Sequence, residues 1–129
     1  MQHYYGHIEA LTQENENFRQ VLWTGAHTQL VLMSLKPGEE IGTEVHPNVD
    51  QFFRFESGEG LVMIDGEEMQ VTDGDAVIVP AGSEHNVINT GEGDLKLYTL
   101  YSPANHPDGT VHATKAEADA YEAEHHHEE

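Results

Sequence analysis

Residues 74–89, GDAVIVPAGSEHNVIN, decide the fold. Valine and isoleucine fill the short run 76–79, and a second run rich in the same residues covers 85–89. Gly74-Asp75 precedes the first run and Pro80-Ala81-Gly82 separates the two, so each run is bounded by turn-formers. The pattern is strand, tight turn, strand, with no room for a helix of ordinary length.

The same rhythm continues outward in both directions. Further strands are predicted at 18–24, 29–35, 43–46, 51–56, 60–65, 68–71 and 95–101, between turn signals such as Lys36-Pro37-Gly38, Ser57-Gly58 and Asp65-Gly66. Asp65-Gly66 is a strong hairpin signal, because glycine tolerates the positive φ that tight hairpin turns need. The chain therefore reads as one all-β barrel or sandwich over 18–112. It is flanked by an arm at 1–17, irregular or an added edge strand, and an acidic helix and tail at 113–129. In the tail, Thr114 and Glu117 fit a capping box, with Ala116, Ala120 and Ala123 near one face of a helix running to about residue 124. The histidines at 125–127 read as a frayed, solvated end.

With 129 residues the chain buries about two thirds of its unfolded surface in one core. It has no cysteine, which excludes disulfides, thiolate metal sites and cysteine nucleophiles. Twenty-four acidic side chains against five basic ones give a formal charge of −19, a field that repels phosphate backbones and anionic lipid. The expectation is thus no nucleic acid and no membrane as partner, and a surface adapted either to solubility or to high salt. With neither a membrane-length apolar run nor a basic-then-apolar start, the cytoplasm is the default location. An anionic substrate needs local cations, and Arg19, Lys36, Arg54, Lys96 and Lys115 are the whole supply.

The polar residues that break the strand pattern carry the chemistry. Glu44 and His46 are two apart on a strand, so they share a face at roughly 6 to 7 Å and can converge on one ion. Asp50 and Gln51 both lie within range of them. Parity favours Gln51, because with Gln51 inward Phe53 and Phe55 also face in, while Phe52, Arg54 and Glu56 face out. His85 supplies a fourth donor from its own strand, with Val87 and Asn89 on the same face. Burying two histidines, a glutamate and a glutamine together is costly without something to satisfy them. Phe18, Trp23, Phe53 and Phe55 are expected to pack the core. Asn89 is expected to hydrogen-bond, Glu84 to face out, Tyr98 or Tyr101 to pack or form a polar wall, and His27, His106 and His112 to lie at the surface, with the edge of the site as the alternative for any of the three.

These residues resemble the cupins. The first cupin motif runs Gly, five residues, His-x-His, three or four residues, Glu, six residues, Gly, and Gly38, Glu44, His46, Gln51 and Gly58 stand at its positions. The second runs Gly, five residues, Pro-x-Gly, two residues, His, three residues, Asn, and Gly74, Pro80, Gly82, His85 and Asn89 match it without a gap. The resemblance implies a double-stranded β-helix or jelly-roll barrel, commonly a homodimer, with one divalent ion (Fe, Mn, Ni, Co or Zn) in its mouth. Glu44 replaces the first histidine and Gln51 the usual glutamate, so the set keeps one carboxylate and three neutral donors. Small proteins of this kind are often described as similar to mannose-6-phosphate isomerase. The implied function is an isomerase- or dioxygenase-type enzyme on a small oxygen-chelating molecule, the alternative being a barrel that binds or senses a metal or small ligand without turnover.

Overall fold

A computed structural model of the chain describes residues 2–124, and the histidines at 125–127 lie outside the described residues. The nine predicted strands are present as β1 (Arg19–Thr24), β2 (Gln29–Leu35), β3 (Glu44–Val45), β4 (Asp50–Ser57), β5 (Glu59–Ile64), β6 (Glu67–Thr72), β7 (Ala76–Val79), β8 (Glu84–Asn89) and β9 (Leu95–Ser102). A two-residue β10 (Val111–His112) and helices α1 (Ile8–Glu14) and α2 (Lys115–Glu124) complete the described residues. Two antiparallel sheets form the jelly roll, one ordered β10-β1-β2-β9-β4-β7 and the other β3-β8-β5-β6.

The inward rows follow from strand alternation. Val31, Met33, Leu35, Phe53, Phe55, Leu95 and Leu97 come from the larger sheet, Val62, Val71 and Val87 from the smaller, and they form one core. Phe53 and Phe55 stack with centroids 6.2 Å apart, and each buried ring contributes about 1.5–3 kcal/mol by leaving water. Gly58 is required where β4 turns into β5. Its φ is +95°, and an added Cβ would lie 2.5 Å from the Asp94 carbonyl oxygen.

Four features depart from the sequence reading. The segment 1–17 is neither strand nor wholly irregular: it contains α1, which lies against β4 and β9. No side chain caps the start of α1 and only Thr12 in it is buried, so contacts with the barrel hold it rather than intrinsic propensity. Gln13 Nε2 donates to the Glu56 carbonyl at 3.2 Å, and just beyond the helix Lys96 Nζ donates to the Asn15 carbonyl at 2.6 Å. Second, Glu56, expected outside, is buried, because a register shift between Phe55 and Ser57 breaks the alternation and α1 lies against this strand. Third, Trp23 is half-buried, its ring over Gly25 next to the register shift in β1. Fourth, α2 keeps its expected cap, with Glu117 N–H donating to Thr114 Oγ1 at 3.1 Å, but it docks through Ala118 while Ala116, Ala120 and Ala123 are exposed.

Candidate metal centre

The polar cluster draws on β3, the residue after it, β4 and β8. Glu44 on β3 and His85 on β8 are direct antiparallel partners, so their side chains share a face. His46 follows β3 immediately, and its carbonyl accepts from Gly82 N–H at 2.9 Å. Gly82 has φ +90°, which lets the Pro80-Ala81-Gly82 turn bring β8 back beside His46. Asp50 is exposed and its Oδ1 accepts from Ala81 N–H at 2.9 Å, bracing the same turn from outside. Gln51 is 2% exposed and faces in, as parity requires.

Glu44, His46 and His85 each offer one donor atom, and these atoms all lie within 4.8 Å of one another. His46 Nε2 and Glu44 Oε1 are 3.3 Å apart, and the two imidazole centroids are 5.3 Å apart. Metal–ligand bonds of about 2.1 Å place neighbouring donor atoms about 3 Å apart, so the His46–Glu44 separation fits a shared ion. Glu44 is the accessible member at 33% side-chain exposure, whereas His46 and His85 are both 4% exposed.

Hydrogen bonds prepare two of the donors. His85 Nδ1 lies 3.1 Å from the Ser83 carbonyl, which can only accept, so the proton sits on Nδ1 and the Nε2 lone pair is left over. That Nε2 is buried and has no hydrogen-bond partner. Burial pushes His85 below the ordinary imidazole pKa. The Ser83 carbonyl opposes this, and neighbouring His46 adds to it, so the ring is neutral at pH 7. Gln51 Nε2 donates to Thr99 Oγ1 at 3.0 Å, and Thr99 Oγ1 donates to the Phe52 carbonyl at 2.8 Å. The amide orientation is thereby fixed, and Gln51 Oε1 is left buried without a partner.

A second layer lies beside these donors, and the sequence reading touched it only at Tyr101, expected to pack or form a polar wall. Gln29, Tyr101 and Gln51 are consecutive cross-strand partners on β2, β9 and β4. Tyr101 is 2% exposed, with its ring 6.0 Å from that of His46 and 5.1 Å from that of His106. His106, expected at the surface or at the edge of the site, is half-buried with Nε2 3.3 Å from Tyr101 Oη. His112, also expected outside, is 7% exposed beneath α2, its ring 5.1 Å from that of Tyr121, whereas His27 is exposed. Glu84 is exposed, as expected. A polar Gln29 opening the mostly apolar β2 was an available signal for this layer.

Comparison with known proteins agrees with the fold. A cupin domain family model matches residues 31–101, which span both motifs. YrkC of Bacillus subtilis, an uncharacterized protein, is 54% identical over 121 residues, covering 89% of this chain; this chain spans 65% of YrkC's length. The crystal structure of BH2720 from Bacillus halodurans superposes with a TM-score of 0.89 at 49% identity, covering 91% of this chain and 93% of that one. An oxalate-binding protein of Thermotoga maritima is 30% identical over 68 residues, 53% of this chain and 56% of its own length. The barrel, its two motifs and these likenesses place the chain in the cupin family.

Proposed function

We propose that Glu44, His46, Gln51 and His85 hold one divalent ion and that the protein is a metal-dependent cupin acting on a small oxygen-chelating molecule, by isomerase- or dioxygenase-type chemistry. The observation that supports this best is the convergence of Glu44, His46 and His85 with His85 Nε2 buried and bare, and Gln51 Oε1, buried and bare on β4, is the fourth donor we assign. Elsewhere a buried polar atom left unpaired costs about 1–3 kcal/mol. An ion repays that cost and matches two imidazoles, a carboxylate and an amide oxygen, a set suited to Fe, Mn, Ni, Co or Zn.

When bound, such an ion polarises a coordinated oxygen or brings a chelating substrate and dioxygen together. The protein's own share is preparation. Ser83 fixes the His85 tautomer, Thr99 fixes the Gln51 amide, and Glu44 brings a single negative charge that leaves the centre electrophilic. A phosphate-bearing substrate fits poorly, because Arg54 is paired with Glu56, Lys96 with Glu16 and Lys115 with Asp119, and Arg19 is buried over Phe18, which leaves Lys36 as the remaining cation. The likeness to the oxalate-binding protein of Thermotoga supports a carboxylate ligand instead.

The alternative, a barrel that binds metal or ligand without turnover, draws on one observation. Glu44 is the carboxylate among the converging donors, so it is committed to the ion, and Glu84 faces away. We also infer a two-fold homodimer, supported by the short apolar edge strand β7, where Ile78 is 65% exposed. A monomer by sedimentation at micromolar concentration would remove that inference.

The deciding experiment starts from chelator-treated protein. Adding the cognate ion at a hundredfold excess over its dissociation constant raises unfolding stability by about 2.7 kcal/mol. A melting temperature indifferent to every divalent ion in the series would sink the metal reading. Oxygen-uptake and isomerisation screens with the bound ion then separate enzyme from binding protein.

A further inference from the structure

We infer that Arg19 on β1 and His112 on β10 form a second site, beneath α2, that takes a small monovalent anion such as chloride or formate. It shares no residue with the metal centre and does not depend on that centre holding an ion.

The starting point is a buried charge without a counter-charge. Of the five basic side chains, Arg54, Lys96 and Lys115 are paired with carboxylates and Lys36 is exposed. Arg19 is 4% exposed, and no carboxylate among the described residues lies within ion-pair distance of its guanidinium. Lys96 shows the contrast: it is 8% exposed, and its Nζ reaches the Asn15 carbonyl at 2.6 Å and Glu16 Oε2 at 3.1 Å. On Arg19, Nε and Nη1 are both buried without a hydrogen-bond partner. The Phe18 ring, 5.4 Å from the guanidinium carbon, supplies a cation–π contact, which leaves the N–H donors unanswered. A guanidinium in this state lacks the pairing that ordinarily offsets its desolvation.

The register shows what surrounds it. Arg19 is the cross-strand partner of Met33 on one side and of His112 on the other, so the three side chains share a face, and Met33 belongs to the core. His112 is 7% exposed with Nδ1 bare, and its ring lies 5.1 Å from that of Tyr121 on α2, so this is the face that α2 covers. The helix keeps its nearest carboxylates occupied. Glu117 Oε1 accepts from Ala113 N–H, and Asp119 is held by Lys115. With ten residues α2 is too short to be stable by itself, so it lifts easily enough to admit an ion.

Charge sets the class of ligand. Arg19 contributes one positive charge. His112 is neutral at pH 7, because burial and then Arg19 lower its pKa against the opposing Glu117 and Glu122 carboxylates, with Tyr121 the remaining titratable group on its ring. One charge matches a monoanion, whereas a dianion would keep an unpaired charge in a buried place. A halide or a formate-sized carboxylate also needs few donors, and Arg19 leaves two bare. Bound there, the anion favours the protonated imidazole, so it binds more tightly as pH falls.

The test is chloride NMR on the chelator-treated full chain, since the quadrupolar chloride line broadens on exchange with a protein site. Bromide and formate should displace the ion and narrow the line, while gluconate at equal ionic strength, too large to enter, should not. Arg19→Met, an apolar chain of similar length, should abolish the broadening. Wild-type affinity should rise about threefold between about pH 7.5 and 5.5, and His112→Gln should lose that gain while still binding chloride at the higher pH. A wild type that does not broaden the line overturns the inference, as does gluconate narrowing it as well as formate, or broadening that survives in Arg19→Met. A pH gain retained in His112→Gln overturns it too, and that comparison decides the matter even where Arg19→Met fails to fold.

Discussion

The two ends of β8 carry buried polar side chains in opposite states. Asn89, 2% exposed, is fully engaged: its Nδ2 donates to the carbonyls of Leu35 and Gly93 and its Oδ1 accepts from Gly91 N–H, all at 2.9 Å. His85, four residues earlier on the same face, makes one hydrogen bond and keeps Nε2 bare. The glutamines repeat the contrast within a single cross-strand row, since Gln29 is saturated and Gln51 leaves its carbonyl oxygen bare. A buried group that is satisfied within the chain holds the fold together, and one left unsatisfied points to a partner outside it.

The largest expected effect tests this division directly. Asn89→Ala strands two carbonyls and one N–H and should destabilise the metal-free protein by about 3 kcal/mol, read by chemical denaturation. His85→Gln removes a single bond and relieves a bare nitrogen, so metal-free stability should change by no more than about 1 kcal/mol while the metal-induced gain disappears. Equal losses from the two substitutions in metal-free protein would erase the distinction between the ends of β8.

Much of this was legible in sequence because it is local. Residues 74–89 hold both ends of β8 and the turn between β7 and β8, and strand parity selected Gln51 over Asp50. Parity fails one turn of the pattern later, at Glu56, because a bulge is set by the neighbouring strand rather than by the residues that bulge. Helix α1 was hidden for a similar reason: seven residues with one buried side chain have no periodic face to read. The hydrogen bond from Gln29 Nε2 to the His106 carbonyl joins positions 77 residues apart and belongs to neither motif. Contacts of that range come from topology, and no spacing rule reaches them.

A smaller effect sharpens the contrast between the glutamines. Gln51→Glu turns a weak amide donor into a carboxylate, and metal affinity should tighten about tenfold, measured by competition with a chelator. Metal-free protein should lose about 1–2 kcal/mol, because the new side chain cannot donate to Thr99 Oγ1 and sits as a buried charge. Unchanged metal affinity would take Gln51 out of the ligand set and leave a three-residue centre.

His112 supplies the control, a bare imidazole nitrogen away from the mouth. It is 7% exposed under α2, its Nδ1 has no hydrogen-bond partner, and it belongs to no metal-ligating group among the described residues. Burial lowers its pKa below the ordinary imidazole value, its strand partner Arg19 lowers it further, and the Glu117 and Glu122 carboxylates oppose both. A depressed folded pKa means that the unfolded chain binds the proton more readily. The stability His112 contributes is therefore fully present above the unfolded value, about 6.5, and is lost as pH falls through the folded one. The loss is at most about 1.4 kcal/mol per pH unit. His112→Gln should flatten this part of the stability curve between pH 7 and 5, and the difference between variant and wild type should be the same with and without bound metal. A difference that vanishes on metal loading would join His112 to the mouth and break the separation between the two histidines.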